Sequence, residues 1–385
     1  MRAEVGDLLC FSHLRWGFVF QRPNHLMSRF ARRQRVFFVE EPIFSPEVRE
    51  PRWTQNASPE GVIVCVPELP EGTDPGAVIE VQRRLVDQLV EQEHLRLDVM
   101  WFYTPMALAF ARQLSAPVVV YDCMDELSAF LGAPPELRAL ENELFERADL
   151  VFTGGHSLYE AKRTRHPSVH AFPSSVDAAH FSEARHALVD PPDQAAIPHP
   201  RLGFFGVIDE RLDMELLDTL AQQRPEFHLV MVGPVVKIDP ATLPRRENVH
   251  WLGQKSYAEL PAYIGGWDVA LMPFALNDAT RFISPTKTLE YMAAGRPIVS
   301  TAIRDVVEPY SRLGLVHIAD RGSFAHEVAS ALAEEPTPRR EAADAYLAET
   351  SWDRTWGAMA SLIQTHITAA QRAALTEDTC STISS

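Results

Sequence analysis

The sequence predicts an α/β protein built from two Rossmann-like, doubly wound domains that face each other across a cleft. Three observations carry this reading. Short runs rich in Val, Ile and Phe alternate with longer amphipathic stretches, and the alternation occurs twice along the chain. The segment "DPPDQAAIPHP" at 190–200, with four prolines in eleven residues, separates the two series. At 385 residues the chain is long enough for two domains, each with a core of its own.

In the first half, Leu8–Ser12, Val36–Glu40, Val62–Val66, Val99–Tyr103, Val118–Asp122 and Leu150–Thr153 read as buried parallel strands. Helical patterns at Pro23–Arg33, Pro75–Arg96, Pro105–Leu114 and Glu136–Ala148 lie between several of them, the layout of βαβ units. Residues 1–190 are expected to form this first domain and 191–200 an interdomain linker. In the second domain, 201–350, "RLGFFG", "FHLVMVG", "VHWLG", "DVALMPF" and "PIVST" are strand-like. The stretches "MELLDTLAQQ", Tyr257–Ile264 and Pro285–Ala294 are helical. Ser351 suits the N-cap of a last helix over 351–385, in which Trp352, Trp356, Met359, Ile363 and Ile367 form an apolar stripe that suits packing back on the first domain. The polar tail "TEDTCSTISS" is expected to fray.

Composition narrows the function classes. Hydrophobic residues make up 46% of the chain, an ordinary globular content. A formal charge of −16 argues against a nucleic-acid partner, because phosphate backbones require a basic face. Cys10, Cys65, Cys123 and Cys380 are far apart, with no C-x-x-C pair, so neither a disulfide framework nor a zinc site is expected and a reducing compartment fits. No apolar run reaches the ~18 residues of a spanning helix. Glu4 and Asp7 before a short apolar stretch make a poor signal peptide. The chain reads as cytoplasmic.

One stretch, "ISPTKTLEYMAAGRPIVS" at 283–300, opens a helix with an unexpected charge. Ser284 suits an N-cap and Pro285 the first helical position, yet Lys287 places a cation where the helix end is already positive. Free N–H groups of Thr286 and Lys287 together with the Lys287 ammonium describe an anion pocket. Glu290, three residues on, shares that face and suits a ribose diol beside the anion. Arg281, just upstream, adds charge from the loop. The competing reading is an ordinary surface ion pair between Lys287 and Glu290, which contributes only a few tenths of a kcal/mol.

"SPTKTLEYMAAGRPIVS" resembles the donor-site signature of GT-B glycosyltransferases, in particular glycosyltransferase family 4. "FFG" (204–206), "LVMVGP" (229–234), "NVHWLGQKSYAELPAYIGGWDVALMPF" (248–274) and "FPSSVDAAHF" (172–181) are similar to further stretches of that family. "RWGFVFQRPNHL" (15–26) and "YDCMDEL" (121–127) resemble a bacterial subgroup linked to cell-surface polysaccharide synthesis. The resemblance implies a GT-B fold and transfer of a sugar from a UDP- or GDP-linked donor to a sugar or lipid-linked glycan, retaining and without metal or other cofactor. It implies that Lys287 and the N–H groups of Ser284 to Thr286 hold the diphosphate, that Glu290 holds the ribose, and that Gly206 admits the phosphates. It places Gly233, Leu252 and Tyr257 near the base. Two departures stand out: Phe282 occupies the position of a glutamate that often touches the donor sugar, and Val207 that of a frequent arginine, which leaves Arg281 or Arg211 as replacement cations.

On the acceptor side, Arg15, Trp16, Gln21, Arg22 and His25 lie in or just after an aromatic loop whose flat faces and polar tips suit a sugar ring. Asp122, at a strand end, is the carboxylate expected as general base if the reaction inverts; Asp125 and His156 are further cleft candidates. No D-x-D pair occurs in the chain, so Lys287 and the helix end are expected to stabilise the leaving group. Arg29, Arg32, Arg33 and Arg35 either complement a helix C-terminus or touch anionic lipid head groups at the cytoplasmic face. A nucleotide-sugar epimerase and a non-catalytic partner subunit share this architecture and stand as alternatives.

Overall fold

The computed structural model describes residues 6–186 and 188–383, with side chains as far as 373. The first sheet contains β1 (Asp7–Phe11), β2 (Val36–Val39), β3 (Ile43–Ser45), β4 (Arg52–Ala57), β5 (Ile63–Pro70), β6 (Leu97–Phe102), β7 (Val118–Cys123), β8 (Leu150–Thr153) and β9 (Val169–Ala171). Their order is β3-β5-β2-β1-β6-β7-β8-β9, all parallel, with β4 antiparallel on the outside of β5. Every residue of β1, β2 and β8 is buried, which is why these strands read as continuous apolar runs. Alternate residues feed opposite layers. Leu8 and Cys10 join the face covered by α1 (Arg22–Ala31), and Leu9 and Phe11 join the face covered by α2 (Pro75–Gln92) and α3 (Leu137–Arg147). A short helix, α4 (His156–Lys162), follows β8.

The second sheet contains β10 (Arg201–Phe205), β11 (His228–Val232), β12 (Val249–Gly253), β13 (Val269–Met272), β14 (Ile298–Ser300) and β15 (His317–Ile318). Its order, β12-β11-β10-β13-β14-β15, reverses between β10 and β13, and that switch point is where open α/β sheets bind ligands. Helices α5 (Met214–Gln223) and α6 (Lys287–Ala293) follow β10 and β13. Trp267, fully buried, lies flat against β10, so close that a Cβ on Gly203 would sit 1.8 Å from its ring.

Several expectations change. The proline-rich segment is docked rather than free: it holds a short helix, Pro192–Ala195, and the buried Gln194 amide donates to Tyr263 O and accepts from Trp267 Nε1. The chain enters the second domain before residue 190, because Val176, Phe181 and Ala184 already belong to that domain's core. Pro105–Leu114 divides into a tight turn, Pro105–Ala107, and a short helix, Leu108–Ala111. The last helix, α7 (Trp352–Ile383), returns to the first domain, where Trp352, Met359, Ile363 and Ile367 pack with Leu8 and Leu26. Its backbone stays helical through most of the tail read as frayed, since adding residues to an existing helix costs little. Cys10, Cys65 and Cys123 are buried free thiols, held above their usual pKa by desolvation; the Cys380 side chain lies outside the described residues. No helix among the described residues is long and apolar enough to cross a membrane.

The Gly203–Trp267 contact gives a direct test of this packing. Gly203→Ala is expected to destabilise the protein by about 3 kcal/mol, the upper range for overpacking. Gly357→Ala, in α7 with nothing within 4 Å of the added methyl, is expected to stabilise by about 0.5–1 kcal/mol. Chemical denaturation of the two variants reads both signs.

Candidate active site

At the switch point, β10 and β11 end in glycines that no other residue could replace. Gly206 has φ +135° and Gly233 φ +149°. A Cβ on Gly233 would lie 1.8 Å from Gly206 O, and one on Gly206 would lie 2.2 Å from Lys287 Cε and 2.6 Å from its Nζ. The lysine therefore lies directly over the turn that ends β10. Its ammonium is 5.7 Å from the ring centroids of both Phe204 and Phe205 and makes no hydrogen bond or ion pair with any described residue. Burial lowers its pKa first; Arg211 adds to this and Glu290 opposes it.

Glu290, one turn along α6, is 8% exposed. Among the described residues its side chain has one hydrogen bond, a long one from Thr286 Oγ1 at 3.4 Å. Burial pushes its carboxyl up to about 7, although Lys287 pulls the other way. The buried Tyr257 hydroxyl lacks a partner, and burial followed by the Glu290 charge raises its pKa. The Tyr257 ring stacks on His180 at 4.3 Å and meets Phe20 of the first domain at 4.7 Å. Leu252 is partly buried against the second core, on β12.

The helix start differs in detail from the sequence reading. Thr286, not Ser284, is the N-cap of α6, and Lys287 is its first residue. Thr286 is already in the helical region at φ −54°, and Pro285 O accepts from Thr288 N at 3.2 Å, so the turn at 285–286 leads straight into the helix. Ser284 instead packs against the first domain, where a Cβ on Gly155 would lie 2.8 Å from Ser284 Cβ. Arg281 is exposed, lies over Phe282 at 5.1 Å and lines a separate polar groove with Arg138 and Asn142. Arg211 does reach the site, but it is held by Asp209 through Nε and Nη2, the latter at 2.7 Å.

The acceptor-side candidates separate. Asp122, fully buried, accepts from Arg22 Nε at 3.0 Å and Nη2 at 2.8 Å, while Arg22 Nη1 donates to Phe172 O at 2.7 Å. Burial raises the Asp122 pKa and Arg22 counters it. The two residues expected as base and acceptor ligand are thus one internal ion pair, which ties α1 to β7. Arg15 bonds Glu40 at 3.0 Å, and the Trp16 N–H donates to the same carboxylate at 2.7 Å, so both brace the loop. The Trp16 ring packs edge-on against Phe38. Gln21 caps α1 in a box with Asn24. His25 is stacked on Trp352 at 4.6 Å and held down to a pKa of about 3 by burial. His156 is exposed in the first turn of α4. Asp125 does face the second domain, with burial pushing its pKa up to about 6 while Arg211 pulls it down. The arginine cluster is largely engaged: Arg29 bonds Asp353 at 2.8 Å, Arg33 lies over Trp356 at 4.4 Å, and Arg35 bonds Asp7 at 2.7 Å.

Residues not singled out from sequence complete the cleft. His13 lies two residues past the end of β1; its Nδ1 is buried without a partner among the described residues, and burial and the charge of Lys237 hold its pKa down to about 4. Its place after a strand end is the signal that selected Asp122, and applied evenly it would have found His13. The Phe130 ring lies 5.2 Å from Lys237 and 5.7 Å from Arg211 of the opposite domain. Gln254 Nε2 donates to Phe18 O at 2.6 Å, and Asp305 accepts from the Ser157 N–H of α4 at 2.9 Å. These contacts join the domains around the site.

Residues 199–334, which include Gly206, Lys287 and Glu290, match the family described as Glycosyl transferases group 1. The putative teichuronic acid biosynthesis glycosyltransferase TuaH of Bacillus subtilis (strain 168) is 27% identical over 221 residues, 52% of this chain and 55% of that protein. The chain thus spans about half the length of the curated relative it matches. Sucrose-phosphate synthase from Thermosynechococcus elongatus superposes with a TM-score of 0.66 at 15% identity, over 95% of this chain and 100% of that one. HepE of Anabaena, in complex with UDP and glucose, gives a TM-score of 0.64 at 15% identity over 94% and 100%. WaaG, a glycosyltransferase involved in lipopolysaccharide biosynthesis, gives 0.64 at 14% identity over 92% and 99%. At such identities the superpositions speak to fold, and they extend over nearly the whole chain. The chain thus has the GT-B fold of two facing Rossmann-like domains, and the match to the group 1 glycosyl transferases lies within the second of them.

Proposed function

We propose that the protein transfers a sugar from a nucleotide-diphosphate sugar to a hydroxyl of a glycan acceptor during polysaccharide or glycoconjugate synthesis. The observation that carries this is the pairing of Lys287 over Gly206 with Glu290 one turn away. Both are polar charges drawn into a low-dielectric site with few partners, an arrangement that costs stability unless a ligand supplies the missing interactions. A diphosphate matches the ammonium above a glycine turn, and a ribose diol matches a carboxylate beside it. HepE, a protein of like fold, was solved with UDP, which favours UDP over GDP as the nucleotide.

In this reading Lys287 and Arg211 stabilise charge that develops on the leaving diphosphate, with no metal assigned to the step. The donor phosphate takes the acceptor proton on the same face, the retaining course. Supporting a route without a protein base, Asp122 is committed to Arg22. The arginine cluster of α1 is read as the seam that holds α7 rather than as a lipid surface, and buried free thiols fit the cytoplasm. Phe282, where a donor-sugar carboxylate is often found, packs against the core of the first domain. That substitution favours a second reading, a non-catalytic GT-B partner that binds nucleotide without turnover.

Thermal shift with UDP, GDP and their sugars tests the donor site. A saturating nucleotide is expected to raise Tm, and Lys287→Ala to weaken binding by about 10- to 100-fold, the loss of one charge-assisted hydrogen bond. Glu290→Ala is expected to weaken the nucleoside end by about tenfold. If no nucleotide shifts the protein, the donor reading fails; if UDP shifts it and no UDP-sugar is ever turned over, the non-catalytic reading stands.

The Glu290 carboxyl also makes stability depend on pH. Its pKa is about 7 in the folded protein against an ordinary 4.5, so between those values the folded state holds a proton that the unfolded chain has lost. Stability from this group is therefore full below about 4.5 and declines as pH rises towards 7. Asp125, raised to about 6, acts in the same direction. Glu290→Gln is expected to flatten the fall of Tm across this window relative to wild type in unliganded protein.

Asp122→Ala separates an architectural from a catalytic role. Leaving Arg22 buried and unpaired is expected to cost about 3–5 kcal/mol, and the double change Arg22→Met with Asp122→Leu much less. Denaturation of both variants reads this, whereas a general base would show lost turnover at unchanged stability.

A further inference from the structure

A cavity of about 410 Å³ lies at the carboxyl end of the first sheet, on the face covered by α2. Its floor is apolar, formed by Phe11, Val39, Met106 and Phe110, with Phe11 and Phe110 meeting edge-on at 5.9 Å. Its rim carries Phe44 and Ile79, each 48% exposed, in a protein whose other large apolar side chains are mostly covered. Polar groups stand at its edge: Ser12, Thr104, Glu41, Glu40, which is held by Arg15 and the Trp16 N–H, and one amide. Gln82 of α2 lines the wall, is 8% exposed, and its side chain makes no hydrogen bond with any described residue. Such an amide is free to bond a molecule in the cavity. Ser12 in the same wall directly precedes His13, so the cavity shares the end of β1 with the interdomain cleft.

We propose that this cavity is an acceptor subsite for an apolar group carried by the acceptor sugar, an aryl ring or a short alkyl chain, with Gln82 bonding a carbonyl or hydroxyl on that group. Sites that enclose one small organic group measure roughly 300–1,000 Å³, so the cavity holds a single ring system or a short chain. An unsubstituted sugar would leave the phenylalanine floor against polar hydroxyls, and a long lipid would overrun the volume. The proposal rests on reading the cleft as a site of sugar transfer, and its test is chosen to be independent of turnover.

The full chain is titrated with methyl, hexyl, phenyl and 4-acetylphenyl glucosides by calorimetry. Hexyl and phenyl glucosides are expected to bind about tenfold or more tightly than methyl glucoside, the effect of burying one apolar group. Ile79→Glu at the exposed rim and Ala109→Phe in the partly exposed wall are each expected to bring the preference to within about twofold, with the UDP thermal shift retained. Gln82→Leu is expected to weaken the acetylphenyl compound about fivefold while sparing the phenyl one, the loss of one neutral hydrogen bond. Equal binding of all four by the wild type, or a preference that survives both cavity variants, overturns the proposal. A wild type that shows the apolar preference but no nucleotide shift keeps the subsite and removes the transfer reading.

Discussion

The site depends on one hydrogen bond between a helix and a strand. Tyr291, fully buried in α6, accepts the N–H of Phe205, the last residue of β10, at 3.0 Å. Four residues earlier on the same helix stands Lys287, and one residue later on the strand stands Gly206. Because side chains at i and i+4 share a face, fixing Tyr291 on Phe205 fixes Lys287 over Gly206. The glycine is then obligatory, since any side chain at 206 would occupy the space of the lysine, and so is Gly233, which packs on Gly206 O. A helix of seven residues is thereby held in register without help from its own length.

Buried charge is used in two ways in this molecule, and the difference is what marks the candidate site. In the first domain most of the buried charges described have a partner. Arg22 is matched by Asp122 and Phe172 O, and Glu141 by Lys162 at 2.8 Å and Arg165 at 2.7 Å. Such pairs roughly balance their desolvation and hold elements in place. Lys287 and Glu290 break that pattern, with one long hydrogen bond between them and their surroundings. Burial raises Asp122 and Asp305 as well, but each of these accepts a hydrogen bond of 3.0 Å or shorter, whereas Glu290 is held by the single long bond from Thr286 among the described residues.

What the sequence made legible follows from what periodicity measures. It reports burial, so β1, β2, β6, β7, β8 and the interior strands of the second sheet could be read directly. The strands β3 and β4, mostly exposed, and β15, two residues long, leave no apolar run and were not. The stretch proposed to hold the donor could be singled out because its groups lie within a few residues: Lys287, Glu290 and the turn before them are local. The acceptor side was not, because its outcome turns on pairings across long separations. Nothing near Asp122 in the chain reveals Arg22, one hundred residues away, and nothing near His25 reveals that Trp352 will cover it. Phe282 is the same lesson in reverse, a departure from a family pattern at a position that packs on the other domain.

The contacts that join the domains also decide how freely the cleft can admit an anion. Phe130 of the first domain lies against both Arg211 and Lys237 of the second, so the cations nearest the site are held partly by an aromatic face. Cation–π contacts at partly exposed sites are worth about 0.5–1 kcal/mol, whereas a charge-assisted hydrogen bond to a phosphate is worth about 1.5–3 kcal/mol. A diphosphate bound over Gly206, as proposed, would compete with Phe130 for Lys237, and with both Phe130 and Asp209 for Arg211. The loop that carries Phe130 also carries Asp125, whose pKa depends on Arg211. If the proposed donor site is occupied, side chains already in contact would link it to the loop of the first domain that carries Phe130 and Asp125.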